Sequence, residues 1–252
     1  MILNQFRLDN QVAVITGGTK GLGKAIAIAL AEIGADIAVV SRSDNLELKE
    51  TISGLGRKYY HHSADLTQRQ ETRKVIPAIV KTLGDVGVLV NNAGIIRRAP
   101  AKDYLESDWD ATLEIDLSAA FLLSQAAGRI MLPKKRGKII NIASIISFQG
   151  GLNVAAYAAA KHGLAGLTKA LANDWAGHGV NVNAIAPGFF ATELTEALRN
   201  DPIRSESIKG RTPARRWGSP QDLAGAAVFL ATPASDFVHG VILPIDGGWM
   251  AW

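Results

Sequence analysis

The chain contains no cysteine. That single absence excludes a disulfide framework, a thiolate metal site and a thiol nucleophile, and it is compatible with a reducing, cytoplasmic setting. Excess charge of either sign is also scarce: 27 Lys and Arg oppose 23 Asp and Glu, a formal net charge of +4. The basic residues are scattered, with Lys134-Lys135-Arg136 and Arg215-Arg216 as the longest clusters, so no nucleic-acid partner is expected and a small anionic ligand is. Long apolar runs are missing too. The opening MILNQFRLDN has no apolar stretch of the kind a secretion leader needs, and none is expected. The longest uncharged run, residues 139–160, is interrupted by Asn141, Ser144, Ser147, Gln149 and Asn153, which excludes a membrane span. With 48% hydrophobic residues over 252 positions, the composition is that of a globular protein and excludes disorder and collagen.

What is present is an alternation. Residues 12–16 form a short apolar run closed by glycines, followed by helical spacing of apolar residues over 22–33. The unit repeats, with strands expected at 36–41, 59–63, 86–91, 138–142, 182–186 and 241–245. Helices are expected at 45–55, 68–83, 107–115, 118–132, 155–178 and 220–231. Runs such as VAVIT, IAVVS and VNAIA are apolar at every position, as strands covered on both faces must be. The prediction is an α/β fold: one Rossmann-type domain over 1–252, with a seven-stranded, doubly wound parallel sheet. The polar, helix-prone stretch 188–210 is read as a lid over the ligand site.

The unusual polar residues fall at predicted strand ends, where such sheets bind ligands. TGGTKGLG, residues 16–23, lies between the first strand and the first helix, with Gly17, Gly21 and Gly23 where a tight turn and close backbone approach are needed. Backbone N–H groups at a helix start suit a pyrophosphate. The second strand ends in Ser41-Arg42-Ser43, with no carboxylate before Asp44, so Arg42 and Lys20 favour a nucleotide 2′-phosphate and hence NADP, with NAD as the alternative. Asp65 is read either as a partner for the adenine amino group or as an N-cap. Asn91-Asn92-Ala93-Gly94 ends the fourth strand, and Ser144 follows the fifth. Tyr157 and Lys161, four residues apart, share one face of the long helix.

TGGTKGLG, NNAG, Ser144, YAAAK and NAIAPG, in that order and spacing, are similar to the motifs of the short-chain dehydrogenases/reductases over essentially the whole chain. NNAGIIRR, KIINIAS, PARRWGSPQDLAG and the closing DGGWMAW resemble the sugar-acid dehydrogenases of that family. The resemblance implies Tyr157 as general acid/base, Lys161 as the cation that makes its phenol more acidic, and Ser144 as the group that orients the reacting oxygen. It places Asp116 where most members carry Asn. For the cofactor it implies Gly17, Thr19, Lys20, Gly21, Leu22 and Gly23 at the first turn, with Ser41, Arg42, Asp65 and Leu66 on the adenosine side. Asn92, Ala93, Gly94, Tyr157, Lys161, Pro187, Gly188 and Thr192 complete the set.

The implied reaction interconverts a secondary alcohol and a ketone on a sugar acid of the 2-keto-3-deoxygluconate or gluconate type. Arg97, Arg98, Gln149, Arg215 and Arg216 are candidates for binding that substrate. No metal is expected. The alternatives are reduction of a 3-oxoacyl thioester on a carrier protein, or a non-catalytic dinucleotide sensor. Family analogy implies a homotetramer, with the aromatic tail 249–252 packed across a subunit interface.

Overall fold

A computed structural model describes residues 1–251. The apolar runs become seven strands: β1 (Val12–Thr16), β2 (Asp36–Ser41), β3 (Tyr59–Ser63), β4 (Val88–Asn91), β5 (Gly137–Ile142), β6 (Val180–Pro187) and β7 (Ile242–Ile245). They form one sheet in the order β3-β2-β1-β4-β5-β6-β7. Every neighbouring pair is parallel. The strand order reverses direction between β1 and β4, which opens a crevice beyond their C-terminal ends.

Helices cover both faces. On one side lie α1 (Gly21–Glu32), α2 (Leu46–Gly54) and α9 (Pro220–Ala231); on the other lie α3 (Arg69–Leu83), α5 (Ala119–Met131) and α6 (Ala155–Trp175). The alternation along β1 shows why its run is apolar throughout. Ala13 and Ile15 pack with Ile26, Leu30 and Leu223 on the first face, while Val12 and Val14 pack with Val75, Leu123 and Leu171 on the second.

Several element boundaries differ from the sequence expectation, β4 starting at Val88 rather than 86 and α6 ending at Trp175 rather than 178 among them; two differences have a clear cause. The helices expected at 107–115 and 118–132 are joined: α4 (Glu106–Leu113) runs through a π-helical turn at Glu114–Ser118 into α5. No Gly or Pro lies between Glu106 and Ala127, and the wide turn carries Asp116 inward to 1% exposure. Strand β6 starts two residues early, because the Asn181 side-chain amide is satisfied by Ser235 O and Val238 O and a polar residue there does not end the strand. The 188–210 stretch contains the short helix α7 (Glu196–Arg199) and most of α8 (Pro202–Arg211). Among the described residues, no helix is long and apolar enough to cross a membrane.

Directly below the crevice the strands are tied by buried amides. Asn91 Nδ2 donates to Asn141 Oδ1 at 2.8 Å and to Ser124 Oγ at 3.0 Å. Asn141 Nδ2 donates in turn to Thr168 Oγ1 at 2.9 Å, so β4, β5, α5 and α6 share one polar joint. Asn141→Ala leaves the Asn91 amide and the Thr168 hydroxyl without these partners. A loss of about 1–3 kcal/mol is expected in chemical denaturation; an unchanged midpoint would mean the joint contributes nothing to stability.

Candidate active site

A cleft of about 900 Å³ opens at the strand C-termini. Its floor is set by the turn after β1. Thr16 Oγ1 accepts the backbone N–H groups of Asn92 and Ala93, both at 2.9 Å. Asn92 Nδ2 donates back to Thr16 O at 2.8 Å and Gly17 O at 3.2 Å, so the ends of β1 and β4 are stitched together. Gly17 has φ +62°, and a Cβ on Gly23 would lie 2.4 Å from Gly17 O, so the turn and the first helical turn approach as only glycines allow. Helix α1 begins at Gly21 with no side-chain cap and no acidic residue in its first turn, and its start lines the cleft. Open N–H groups of this kind fit a pyrophosphate. A Cβ at Gly94 would come within 3.0 Å of Asp116 Oδ2, which explains the glycine that ends NNAG.

Of the expected cofactor residues, Gly17, Lys20, Gly21, Leu22, Arg42, Asn92, Ala93, Gly94, Pro187, Gly188 and Thr192 line the cleft, as do Tyr157 and Lys161. Thr19, Gly23, Ser41, Asp65 and Leu66 do not. The Thr19 carbonyl accepts from Asn45 Nδ2, and Gly23 sits beneath Gly17. The Ser41 hydroxyl donates to Ser43 O, and Leu66 is in the core. Asp65 is not the cap of α3, a position held by Gln68; its carboxylate accepts from the Thr67 N–H and hydroxyl, which hold it below the usual carboxylate range, with Arg42 adding to the effect. The Asp44 carboxylate is turned away to the Tyr59 hydroxyl and the Asn45 N–H. Lys20 reaches across the mouth to pair with Glu193.

Tyr157 and Lys161 stand one turn apart on α6, and the Lys161 ammonium lies 5.4 Å from the centre of the Tyr157 ring. Lys161 is 4% exposed: Nζ donates to Ile142 O at 2.9 Å and lies 3.2 Å from Asp116 Oδ2. Asp116 Oδ1 accepts the Ile95 N–H at 2.8 Å. Burial pushes Asp116 up, against the pull of Lys161. Lys161 itself is pushed down by burial, but Asp116 and Tyr157 more than offset this and leave its pKa raised. The Tyr157 phenol is raised by burial; Lys161 lowers it, Asp116 raises it further, and Ser144 and Arg98 lower it. The cation that lowers the phenol is thus shared with a buried carboxylate. Ser144 lines the cleft, and its Oγ accepts the Ile146 N–H at 3.1 Å.

The substrate candidates separate. Arg98 and Gln149 line the cleft. Arg97 also lines it but lies 3.5 Å from Asp108. Arg215 and Arg216 are corrections. Arg216 grips Asp222, the residue that closes the capping box of α9, and Arg215 donates to Gly210 O, so both are spent on local structure away from the cleft. Arg204 and Arg211 of α8 line the cleft instead. Their spacing of seven residues, two helical turns, was the sequence signal that would have found them. The tail is described through Ala251. Trp249 packs inside its own chain, 4.7 Å from the Phe189 ring and beneath the Arg211 guanidinium at 4.0 Å, while Trp252 lies outside the described residues. In Asp116→Asn, which keeps the acceptor for Ile95 and removes the anion, the Tyr157 phenol is expected to titrate at lower pH. NMR of ¹³Cζ-labelled tyrosine measures this, and an unmoved or upward titration would refute the coupling.

The comparisons agree with this architecture. Residues 11–203 match the short chain dehydrogenase family. The chain is 46% identical over 252 residues to a 2-dehydro-3-deoxy-D-gluconate 5-dehydrogenase of Dickeya dadantii (strain 3937), with 100% of each chain covered. It is 40% identical over 246 residues to a gluconate 5-dehydrogenase of Gluconobacter oxydans (strain 621H), with 96% of each covered. A gluconate 5-dehydrogenase of Burkholderia cenocepacia J2315, solved in complex with NADP and tartrate, superposes with a TM-score of 0.94 at 40% identity, with 100% of each chain covered. A parallel sheet with its crevice at the β1/β4 switch, an open helix start at its floor and a Tyr-x-x-x-Lys face at its wall thus place this chain in the short-chain dehydrogenase family.

Proposed function

We propose that the protein is an NADP-dependent dehydrogenase that interconverts a secondary alcohol and a ketone on a sugar acid of the 2-keto-3-deoxygluconate or gluconate type. The observation that carries this reading is the convergence of Ser144, Tyr157 and Lys161 in one cleft whose remaining wall is lined by arginines. The names of the relatives, and the NADP and hydroxydicarboxylate held by one of them, support it.

The turn over Gly17 and the start of α1 would hold the cofactor's pyrophosphate, and Arg42 and Lys20 its 2′-phosphate, since the Asp44 carboxylate is occupied elsewhere. When bound, the nicotinamide supplies the hydride acceptor or donor. In oxidation the Tyr157 phenolate takes the proton of the substrate hydroxyl; in reduction the phenol gives a proton to the carbonyl oxygen. Lys161 holds the phenolate form by its charge, and Asp116 fixes the ammonium in place. The Ser144 hydroxyl donates to the reacting oxygen and stabilises the negative charge that develops on it. The 188–210 segment closes the far side as a lid. A homotetramer in the cytoplasm completes the reading, supported by the half-open Trp109 and Phe121 side chains along α4 and α5 and by the absence of cysteine.

Initial rates with NADPH and NADH against keto-deoxy sugar acids, 5-keto-gluconate and an acetoacetyl thioester test the proposal. Turnover of a sugar acid is expected, with Tyr157→Phe slower by roughly 10²–10⁴-fold. Thioester reduction without sugar-acid turnover would replace this reading by the carrier-protein one. Arg42→Ala is expected to raise KM for NADPH about tenfold or more and leave NADH unaffected, the cost of one charge-assisted contact to phosphate. Equal effects on both coenzymes would remove the assignment of Arg42.

A further inference from the structure

The charges that line the cleft do not balance. Its two acidic residues are already taken, Asp116 by Lys161 and Glu193 by Lys20. Five arginines remain on the lining, of which Arg42 lies at the end of β2 and Arg97 faces Asp108. The other three are Arg98, Arg204 and Arg211. Arg98 follows the β4 loop and lies within electrostatic reach of both Tyr157 and Arg204, and neither Arg98 nor Arg204 forms an ion pair among the described residues. Two guanidinium groups held near each other beside the catalytic phenol repel one another, and an anion between them relieves this.

Helix α8 presents Arg204, Ser207, Ile208 and Arg211 to the cleft, a spacing of i, i+3, i+4 and i+7 that defines one face. Arg211 is set in place by the Trp249 ring beneath it. Trp249 is 7% exposed and lines the same wall, and its shielded indole N–H has no acceptor among the described residues. The stack accounts for the tail folding back onto its own chain.

We propose that Arg98 and Arg204, with Arg211 held on Trp249, form the carboxylate-recognition site of this enzyme, so that helix α8 rather than the Arg215-Arg216 pair distinguishes an acidic sugar from a neutral one. This deepens the sugar-acid reading and rests on it. The guanidinium fork donates to the two carboxylate oxygens in a plane, which a lysine cannot reproduce.

The test is equilibrium binding of gluconate, with glucitol as the neutral counterpart of equal chain length, to the full-length enzyme saturated with NADP. Arg204→Ala and Arg98→Ala are each expected to weaken gluconate about tenfold or more and to leave glucitol unchanged, with Arg204→Lys intermediate. Both arginines are solvent-exposed at the cleft, and matched circular dichroism and thermal midpoints check that the variants fold. Unchanged gluconate affinity in both alanine variants overturns the site. An equal loss in Arg215→Ala, away from the cleft, also overturns it, since the effect would then be one of general charge. If gluconate binds through Arg98 and Arg204 but no sugar acid is turned over, the anion site stands and the sugar-acid dehydrogenase reading falls.

Discussion

The contact on which the site depends is the buried pair of Asp116 and Lys161. Two ions taken out of water are costly unless their remaining donors and acceptors are met. Here they are met in part by backbone: Ile142 O accepts from the ammonium and the Ile95 N–H donates to Asp116 Oδ1, while Asp116 Oδ2 faces the ammonium at 3.2 Å without a hydrogen-bond donor of its own among the described residues. These two groups come from the end of β5 and the loop that follows β4, so the pair depends on the neighbouring strands and on the π turn that carries Asp116 inward. The electrostatic setting of Tyr157 is thereby tied to the fold. The carboxylate where an amide is usual in the family makes Lys161 a more firmly held cation and Tyr157 a weaker acid than the lysine alone would give.

The same logic of shared strand ends organises the rest of the floor. Thr16 and Asn92 reach across from neighbouring strands, and the buried Asn91-Asn141-Thr168 chain sits one layer lower. These residues present few atoms to a ligand, yet they set the distance between the open start of α1 and the Tyr157 face. A parallel sheet provides such positions naturally, because every strand delivers its C-terminal residue to the same edge.

Opposite this rigid floor stands a wall of a different kind. Helix α8 and the tail bring arginines and Trp249 to the cleft on peripheral elements, so the arginine-lined side is built from segments outside the sheet. The Ser144, Tyr157 and Lys161 face is built on a strand end and the central helix α6, and the arginines opposite it on a peripheral helix, a division that lets one frame serve many substrates.

The sequence by itself determined the alternation of strands and helices and the parallel sheet, which are written in local pattern as uninterrupted apolar runs and glycines at a turn. Ser144, Tyr157 and Lys161 are singled out by the resemblance of their motifs to those of the family, since two side chains one helical turn apart carry little information alone. Asn45 and Gln68 differ from their expected helical places only by acting as N-caps. The tertiary structure decided which charges meet. Arg215 and Arg216 look like ligand residues in a row of letters, but Asp222 and Gly210 O claim them; Arg204 and Arg211 look like a solvated helix face until the fold turns it toward the cleft. Asp116 could not be paired with Lys161 from spacing alone, since the π turn that joins them in space has no marker in the sequence. The physical reason is common to all three cases: helical and strand periods are short-range properties of the chain, whereas an ion pair depends on distances set by the packing of elements far apart along it.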